Sequence, residues 1–349
     1  MRSPAKNTRK RVASFAVAAL VAGIPTCVAS AAQWMALAGA QGPDLGSQAL
    51  AFLPNELWIH AGDSIRWTHA SSEIHTVTFL KPGQVRPPNF GPTFGVPVGC
   101  PGNTLDGAAF DGTSCVNSGL LGQNPVNNIG TGLETYSVTF PAPGNYKLVC
   151  LVHADMTGTI HVLSPSATLP HNQAFYDAEA ANQGATLVSA AYSLRGLVNS
   201  ENGNEGHTAD VTAGVGAILT MTGAGTQTLS LSRFLRGVVV ARVGDTVEWT
   251  NHDPTTPHTV TFGTEPADPR PPSLNVSPTV DGGRQAVIGS TADSANSGLL
   301  VAAPQDRTGL PQAPQGVTRF RVTFTAPGTF SYICSLHDDL GMKGTVIVY

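Results

Sequence analysis

Two short stretches of the chain gather a thiol, an imidazole and a thioether within a few residues of one another. They are Cys150-Leu151-Val152-His153-Ala154-Asp155-Met156 and Cys334-Ser335-Leu336-His337-Asp338-Asp339-Leu340-Gly341-Met342. Another histidine lies far upstream of each, His75 in the first case and His258 in the second. One thiolate, two imidazoles and a thioether form a donor set suited to copper, because the sulfur ligands favour Cu(I) while imidazole also tolerates Cu(II). The expected geometry is a trigonal His2Cys site with a long, weak axial Met. Zinc would need four firm ligands, and its structural sites are built from Cys and His alone. An iron–sulfur cluster would need several neighbouring thiols, which neither stretch offers. A single Cys near a His is ordinarily a buried thiol or, with a base, a nucleophile; four ligands in the same order, twice, argue against coincidence.

The elements that must position these residues also occur twice. Ile65-Arg66-Trp67-Thr68 followed by Ile74-His75-Thr76-Val77-Thr78-Phe79 returns as Val247-Glu248-Trp249-Thr250 followed by Pro257-His258-Thr259-Val260-Thr261-Phe262. Tyr136 to Phe140 with Pro143 to Cys150 returns as Phe320 to Phe324 with Pro327 to Cys334, and Asn117-Ser118-Gly119-Leu120-Leu121 recurs at Asn296 to Leu300. Such an internal repeat is read before any local element. Within each copy, apolar and polar residues alternate over about five positions between Pro-Gly turns, the pattern of half-buried antiparallel strands. The fold class expected is all-β: two Greek-key sandwiches, with Trp67 and Trp249 in their cores. Between them, residues 166–205 form a partly helical linker, with Phe175, Ala178, Ala181, Leu187, Ala190 and Leu194 near helical spacing and Gly184 weakening the helix.

The 349 residues accommodate two domains, and 38 Gly, 26 Pro and only 12% charged residues suit strands and turns. Arg2, Lys6, Arg9, Lys10 and Arg11, the apolar run from Phe15 to Ile24 and the small residues Val28 to Ala31 read as a secretory signal peptide over 1–31. Domain one is then 32–165, the linker 166–205 and domain two 206–349. Thr26 before Cys27 disfavours a lipid anchor, and no later run is apolar for the roughly 20 residues a membrane span needs. Loss of the leader removes five positive charges and moves the formal charge from −4 to −9, which makes nucleic acid an unsuitable partner. Cys100 and Cys115 lie close together in an exported chain and are expected to form a disulfide, leaving Cys150 and Cys334 for another task.

On these residues the chain resembles the cupredoxin family over essentially the whole of each repeat. His258, Cys334, His337 and Met342 match the Cys-x2-His-x4-Met pattern of plastocyanin and pseudoazurin, while the shorter spacing from His153 to Met156 is similar to that of amicyanin. Thr157-Gly158-Thr159-Ile160 after Met156 and Lys343-Gly344-Thr345-Val346 after Met342 align the two methionines. The resemblance implies two type 1 (blue) copper sites, His75, Cys150, His153 and Met156 in one and His258, Cys334, His337 and Met342 in the other. Two copper ions per chain, cycling between Cu(I) and Cu(II), would serve single-electron transfer to transient redox partners with a basic docking face.

Two other classes of function are weighed against this. Multicopper oxidases and copper nitrite reductases also use repeated cupredoxin domains, but they place a His directly before the type 1 Cys and carry additional paired His. Val149 and Ile333 stand at those positions here, and no His-x-His occurs in the sequence. Copper storage or delivery would call for Met- and His-rich tracts, and only four Met follow the leader. Asn251 and Thr68 are candidate outer partners of the ligands. The remaining histidines, His60, His69, His161, His171, His207 and His252, read as ordinary strand and loop residues; His69 and His252, each six residues before a ligand His, share inherited sequence rather than a role. The long insertions at 82–132 and 263–317 would shield the metal edge or dock a partner.

Overall fold

Alternation of burial sets the strands. Along Ser64–His69 the buried side chains are Ile65 and Trp67, and along Arg319–Phe324 they are Phe320, Val322 and Phe324. The computed structural model describes Met1 and residues 31–84, 104–124, 129–153, 155–199, 204–221, 225–302 and 316–349. These residues are mainly β with one α-helix among them, the class that composition and patterning predict. The expected leader, apart from its two ends, and Cys100 of the expected bridge lie outside the described residues.

Ala31–Tyr349 forms one compact unit that contains two sandwiches. In the first, Ser47–Leu53, Gln33–Gln41, Ser64–His69, Thr135–Thr139 and Ala108–Ala109 make one layer, and Glu56–His60, Thr157–Leu163, Gly144–Val149, Thr78–Phe79 and Val116–Asn117 make the other. The second sandwich repeats this order with Gly225–Leu235, Thr208–Met221, Thr246–His252, Arg319–Phe324 and Arg284–Ile288 facing Val238–Ala241, Lys343–Val348, Gly328–Ile333, Thr261–Phe262 and Ala295–Asn296. Trp67 and Trp249 are fully buried, each against a phenylalanine of the facing layer: Phe79 with ring centroids 5.9 Å away and Phe262 at 5.7 Å.

The two large layers belong to a single twelve-stranded sheet. Ser47–Leu53 pairs antiparallel with Gly225–Leu235, with Ala49 opposite Leu229, Gln48 opposite Ser230 and Ser47 opposite Leu231. Gln48 and Ser230 hold equivalent places in their hairpins, since Gln41 pairs with Gln48 and Gly216 with Ser230. A pseudo-two-fold axis therefore runs through the Gln48–Ser230 pair, and the seam has the isologous form of a symmetric dimer interface.

One helix, Gln173–Asn199, occupies the linker. Asn172 caps it, its Oδ1 accepting from the Phe175 N–H at 3.0 Å. Its buried face is Tyr176, Ala180, Gly184, Leu187 and Ala191; Ala180, Leu187 and Ala191 pack on Ala49, Ala51, Leu53 and Leu229 across the seam, and Tyr176 joins the core of the first sandwich. The expected face is corrected in its first half: Leu187 is buried and Ala190 and Leu194 pack beside it, but Phe175, Ala178 and Ala181 are exposed. Alanine is apolar enough to suit either side, so small residues blur the stripe that periodicity detects. Gly184 is part of the packing; a Cβ there would stand 3.3 Å from Leu53 Cδ1 and 3.4 Å from Ala40 Cβ. Gln183 Oε1 accepts from the Asn55 N–H at 3.3 Å and from Gln227 Nε2 at 3.0 Å, so the helix is bonded to both repeats.

Candidate metal centre

Each upstream histidine lies just before a two-residue strand, His75 before Thr78–Phe79 and His258 before Thr261–Phe262. Each cysteine follows the end of a longer strand, Gly144–Val149 or Gly328–Ile333. The next turn carries His153 or His337 and closes on the methionine: the Cys150 N–H donates to the Met156 carbonyl at 2.9 Å and the Cys334 N–H to the Met342 carbonyl at 3.0 Å. Met156 and Met342 thus occupy the same closing position although their loops differ in length, and both are fully buried.

The ligand atoms of His75, Cys150 and His153 lie within 4.8 Å of one another, as do those of His258, Cys334 and His337. Nδ1 of His75 is 3.2 Å from Nδ1 of His153, and Cys150 Sγ is 3.9 Å from the latter. In the second group the corresponding Nδ1 atoms are 3.0 Å apart, with Cys334 Sγ at 3.4 Å from His337 and 3.9 Å from His258. Nitrogens about 2 Å and a sulfur about 2.3 Å from one ion would be separated by roughly 3 to 4 Å, so the donor atoms fit a shared copper. All six residues are buried, which excludes water from the position between them.

The surroundings favour the thiolate. The Thr76 N–H and the His153 N–H both donate to Cys150 Sγ at 3.4 Å, and the Thr259 N–H donates to Cys334 Sγ at 3.3 Å. Burial alone would raise the Cys150 pKa, but His153 and these amides bring it down to about 7. Cys334 is likewise pushed up by burial and held well below the ordinary thiol range by His337 and His258. Burial, followed by the charges of His153 and His69, lowers His75. Against the same burial, Asp253 and Cys334 raise His258, and Glu73 and Cys334 raise His337.

Several supporting residues were not singled out in the sequence. Gly39 and Gly214 sit at β-bulges, each with φ of +81°. A Cβ on Gly39 would stand 2.5 Å from His75 Nε2, and one on Gly214 would overlap the His258 ring. The Ala-Gly pair at equivalent places in the two hairpins was the available signal. The recurring Asn-Ser-Gly-Leu-Leu phrase also finds its purpose. Thr78 Oγ1 donates to Asn117 Oδ1 and the Val77 N–H to Ser118 Oγ, both at 2.9 Å, and Asn296 and Ser297 accept equally from Thr261 and Val260. Leu121 and Leu300 exchange backbone hydrogen bonds with His75 and His258.

Asn251 braces the second site as expected, donating to the carbonyls of Thr256 at 3.1 Å and Leu300 at 2.7 Å. Its counterpart is His69, whose Nε2 donates to the Glu73 carbonyl at 2.7 Å; in both repeats the acceptor lies two residues before the ligand histidine. His69 therefore matches Asn251, and His252 is exposed. Thr68 makes no side-chain hydrogen bond to either group among the described residues. His60 meets the Ala167 carbonyl, His161 meets Glu56 and Asn145, His207 meets Asp245 and His171 stacks on Phe175.

A profile of copper-binding proteins of the plastocyanin/azurin family matches residues 42–163 and 221–349. No curated protein sequence matches the chain. Among solved structures it is similar to oxidised plastocyanin from Dryopteris crassirhizoma, at 19% identity over 40% of this chain and 100% of that one, with a TM-score of 0.20. It is also similar to a Cu(I) form of an amicyanin mutant, at 17% identity over 43% of this chain and 89% of that one, with a TM-score of 0.22. The profile spans more than half of the chain and takes in both cysteine–histidine groups, so the chain belongs to the plastocyanin/azurin family of copper-binding proteins, one copy in each repeat.

Proposed function

We propose that the protein is an exported electron carrier with two type 1 copper sites, one ligated by His75, Cys150, His153 and Met156 and the other by His258, Cys334, His337 and Met342. Copper bound there would alternate between Cu(I) and Cu(II) and supply one-electron chemistry. The carrying observation is the pair of buried thiol–bis-imidazole groups whose Nδ1 atoms face one another at 3.2 and 3.0 Å. The chain's own part is to hold these donors at nearly fixed positions, to keep the sulfur ionised through amide N–H groups and to exclude water, which keeps reorganisation small.

The domains are 32–165 and 206–349, preceded by a leader over 1–31, with a Cys100–Cys115 disulfide stiffening the first insertion. Val149 and Ile333 before the cysteines favour a carrier over an oxidase or reductase, which would need further copper centres to bind substrate. The acidic mature chain suits partners with a basic face. No helix among the described residues is long and apolar enough to cross a membrane.

Copper per chain, with visible and EPR spectra of the oxidised protein and of Cys150→Ser and Cys334→Ser, tests this reading. Two coppers and an intense thiolate-to-copper band that each substitution halves are expected. Absence of that band, or a dominant copper signal that survives both substitutions, would overturn it.

A further inference from the structure

His153 and His337 use Nδ1 toward their own groups, which leaves Nε2 as the outer nitrogen of each ring. Both outer nitrogens face the same side chain. Glu73 Oε2 lies 3.9 Å from His153 Nε2, and Glu73 Oε1 lies 3.3 Å from His337 Nε2 in the other repeat. The carboxylate is buried, at 6% residue exposure, and Oε1 has no hydrogen-bond partner among the described residues, so its approach to His337 is an ion-pair contact. The backbone at Glu73 is pinned, its carbonyl accepting from His69 Nε2 at 2.7 Å and from Ser71 Oγ at 3.2 Å. An isolated carboxylate is costly to bury, so this position is explained by the two imidazoles it stands between.

The second repeat has no counterpart to it. Thr256, two residues before His258 as Glu73 is two before His75, is buried, and its Oγ1 has no hydrogen-bond partner among the described residues. Two acids brought together across the seam could not both stay ionised; one acid opposite a threonine meets both histidines without that repulsion.

We propose that Glu73 is a positioning residue shared by both sites, its carboxylate joining His153 to His337 and so coupling the two sites into one unit. Given the two-copper reading on which this rests, the carboxylate keeps Nε2 protonated on both rings, leaving each Nδ1 lone pair for metal. With copper held in both sites, the His153–Glu73–His337 chain would offer an inside route for electron exchange, one site being oxidised as the other is reduced with no bond made or broken and no proton transferred.

The test is Glu73→Gln in the full chain, alone and combined with Cys150→Ser or Cys334→Ser, so that each site is read separately. Loss of the negative charge is expected to raise the reduction potential and alter the EPR splitting of the second-repeat site as well as the first, and to slow intramolecular exchange after flash reduction of the two-copper protein. A change confined to the first-repeat site, or an unaltered exchange rate, would overturn the proposal. If the unsubstituted protein lacks a thiolate-to-copper band, the copper reading fails and the link is decided on metal-free protein by nitrogen-15 NMR. Glu73→Gln shifting the Nε2–H signals of both His153 and His337 then supports the link, and a shift of only one refutes it. Should E73Q fail to fold, Glu73→Asp, which keeps the charge but withdraws it by one methylene, is expected to alter the EPR splitting of both sites and slow the exchange, and a change at the first-repeat site alone would overturn the proposal.

Discussion

Oδ2 of Asp253 lies 3.9 Å from Nε2 of His258. Among the described residues the first repeat has no such carboxylate; Nε2 of His75 meets the neutral hydroxyl of Ser71 at 3.0 Å. Asp253 is buried and held by the N–H groups of Thr255 at 3.0 Å and Thr256 at 2.9 Å and by Ser230 Oγ. A negative partner behind a ligand imidazole makes the ring more basic and favours the higher oxidation state of the metal.

The second-repeat site is therefore expected to have the lower reduction potential, and Asp253→Asn should raise it. A unit charge about 7 Å from a metal at an effective dielectric of about 20 is worth about 2 kcal/mol, on the order of 100 mV for one electron. A redox titration of Asp253→Asn in the Cys150→Ser background reads the shift directly. An unchanged potential would show that the Asp253 charge does not reach the metal.

Gly39→Ala and Gly214→Ala should each impair one site and leave the other intact. The left-handed backbone at these bulges costs an alanine roughly 1–2 kcal/mol, and the new methyl must also displace the ligand histidine. Gly62 provides the comparison, with φ of +99° and nothing within 4 Å of an added methyl; Gly62→Ala should cost the backbone part alone. Urea unfolding of metal-free protein with copper stoichiometry separates the contributions, and equal copper retention in all three variants would contradict the close approach.

Ser118→Ala and Ser297→Ala leave the buried N–H groups of Val77 and Val260 without their acceptors. Each should destabilise the chain by about 1–3 kcal/mol. Because Val77 and Val260 lie two residues after a ligand histidine, each substitution should also broaden the EPR signal of its own site. Chemical denaturation and EPR give the two effects independently.

Gly184→Leu should cost about 1–3 kcal/mol by overpacking, since the helix approaches Leu53 and Ala40 there without room for a branched side chain. Gly184→Ala opposes a helix-propensity gain of about 1 kcal/mol with contacts of 3.3 and 3.4 Å, and should be near neutral. Thermal melts distinguish the pair.

The grouping of the histidines and cysteines was legible because each repeat places them at or just beyond strand ends, where local spacing and the duplicated order carry the information. Trp67, Trp249 and the alternating strands were legible for the same local reason. Glu73 was not, because half of its surroundings belong to the other repeat and no pattern within Ser71 to His75 points across the seam. Gly39 and Gly214 were hidden in hairpins upstream of the recognised repeat, and bulge geometry becomes visible only once the ladder registers are known. The helix was found but the first half of its face was misread, since Ala178 and Ala181 fit an apolar stripe as readily as Ala180 and Ala191. Pairing His69 with His252 by counting back from the ligand histidine failed because the loop before His258 differs; the hydrogen bonds align His69 with Asn251 instead.

The pseudo-two-fold axis through Gln48 and Ser230 gives the covalent connection between the repeats a further significance. Were the same seam formed by two identical chains, every residue near the axis would be present in duplicate, and an acid at the Glu73 position would meet its own copy. A single chain escapes that constraint. It sets Glu73 on one side and Thr256 on the other, and Ser71 behind one histidine where Asp253 stands near the other, so an interface with the geometry of a homodimer houses two centres that are free to become chemically unequal.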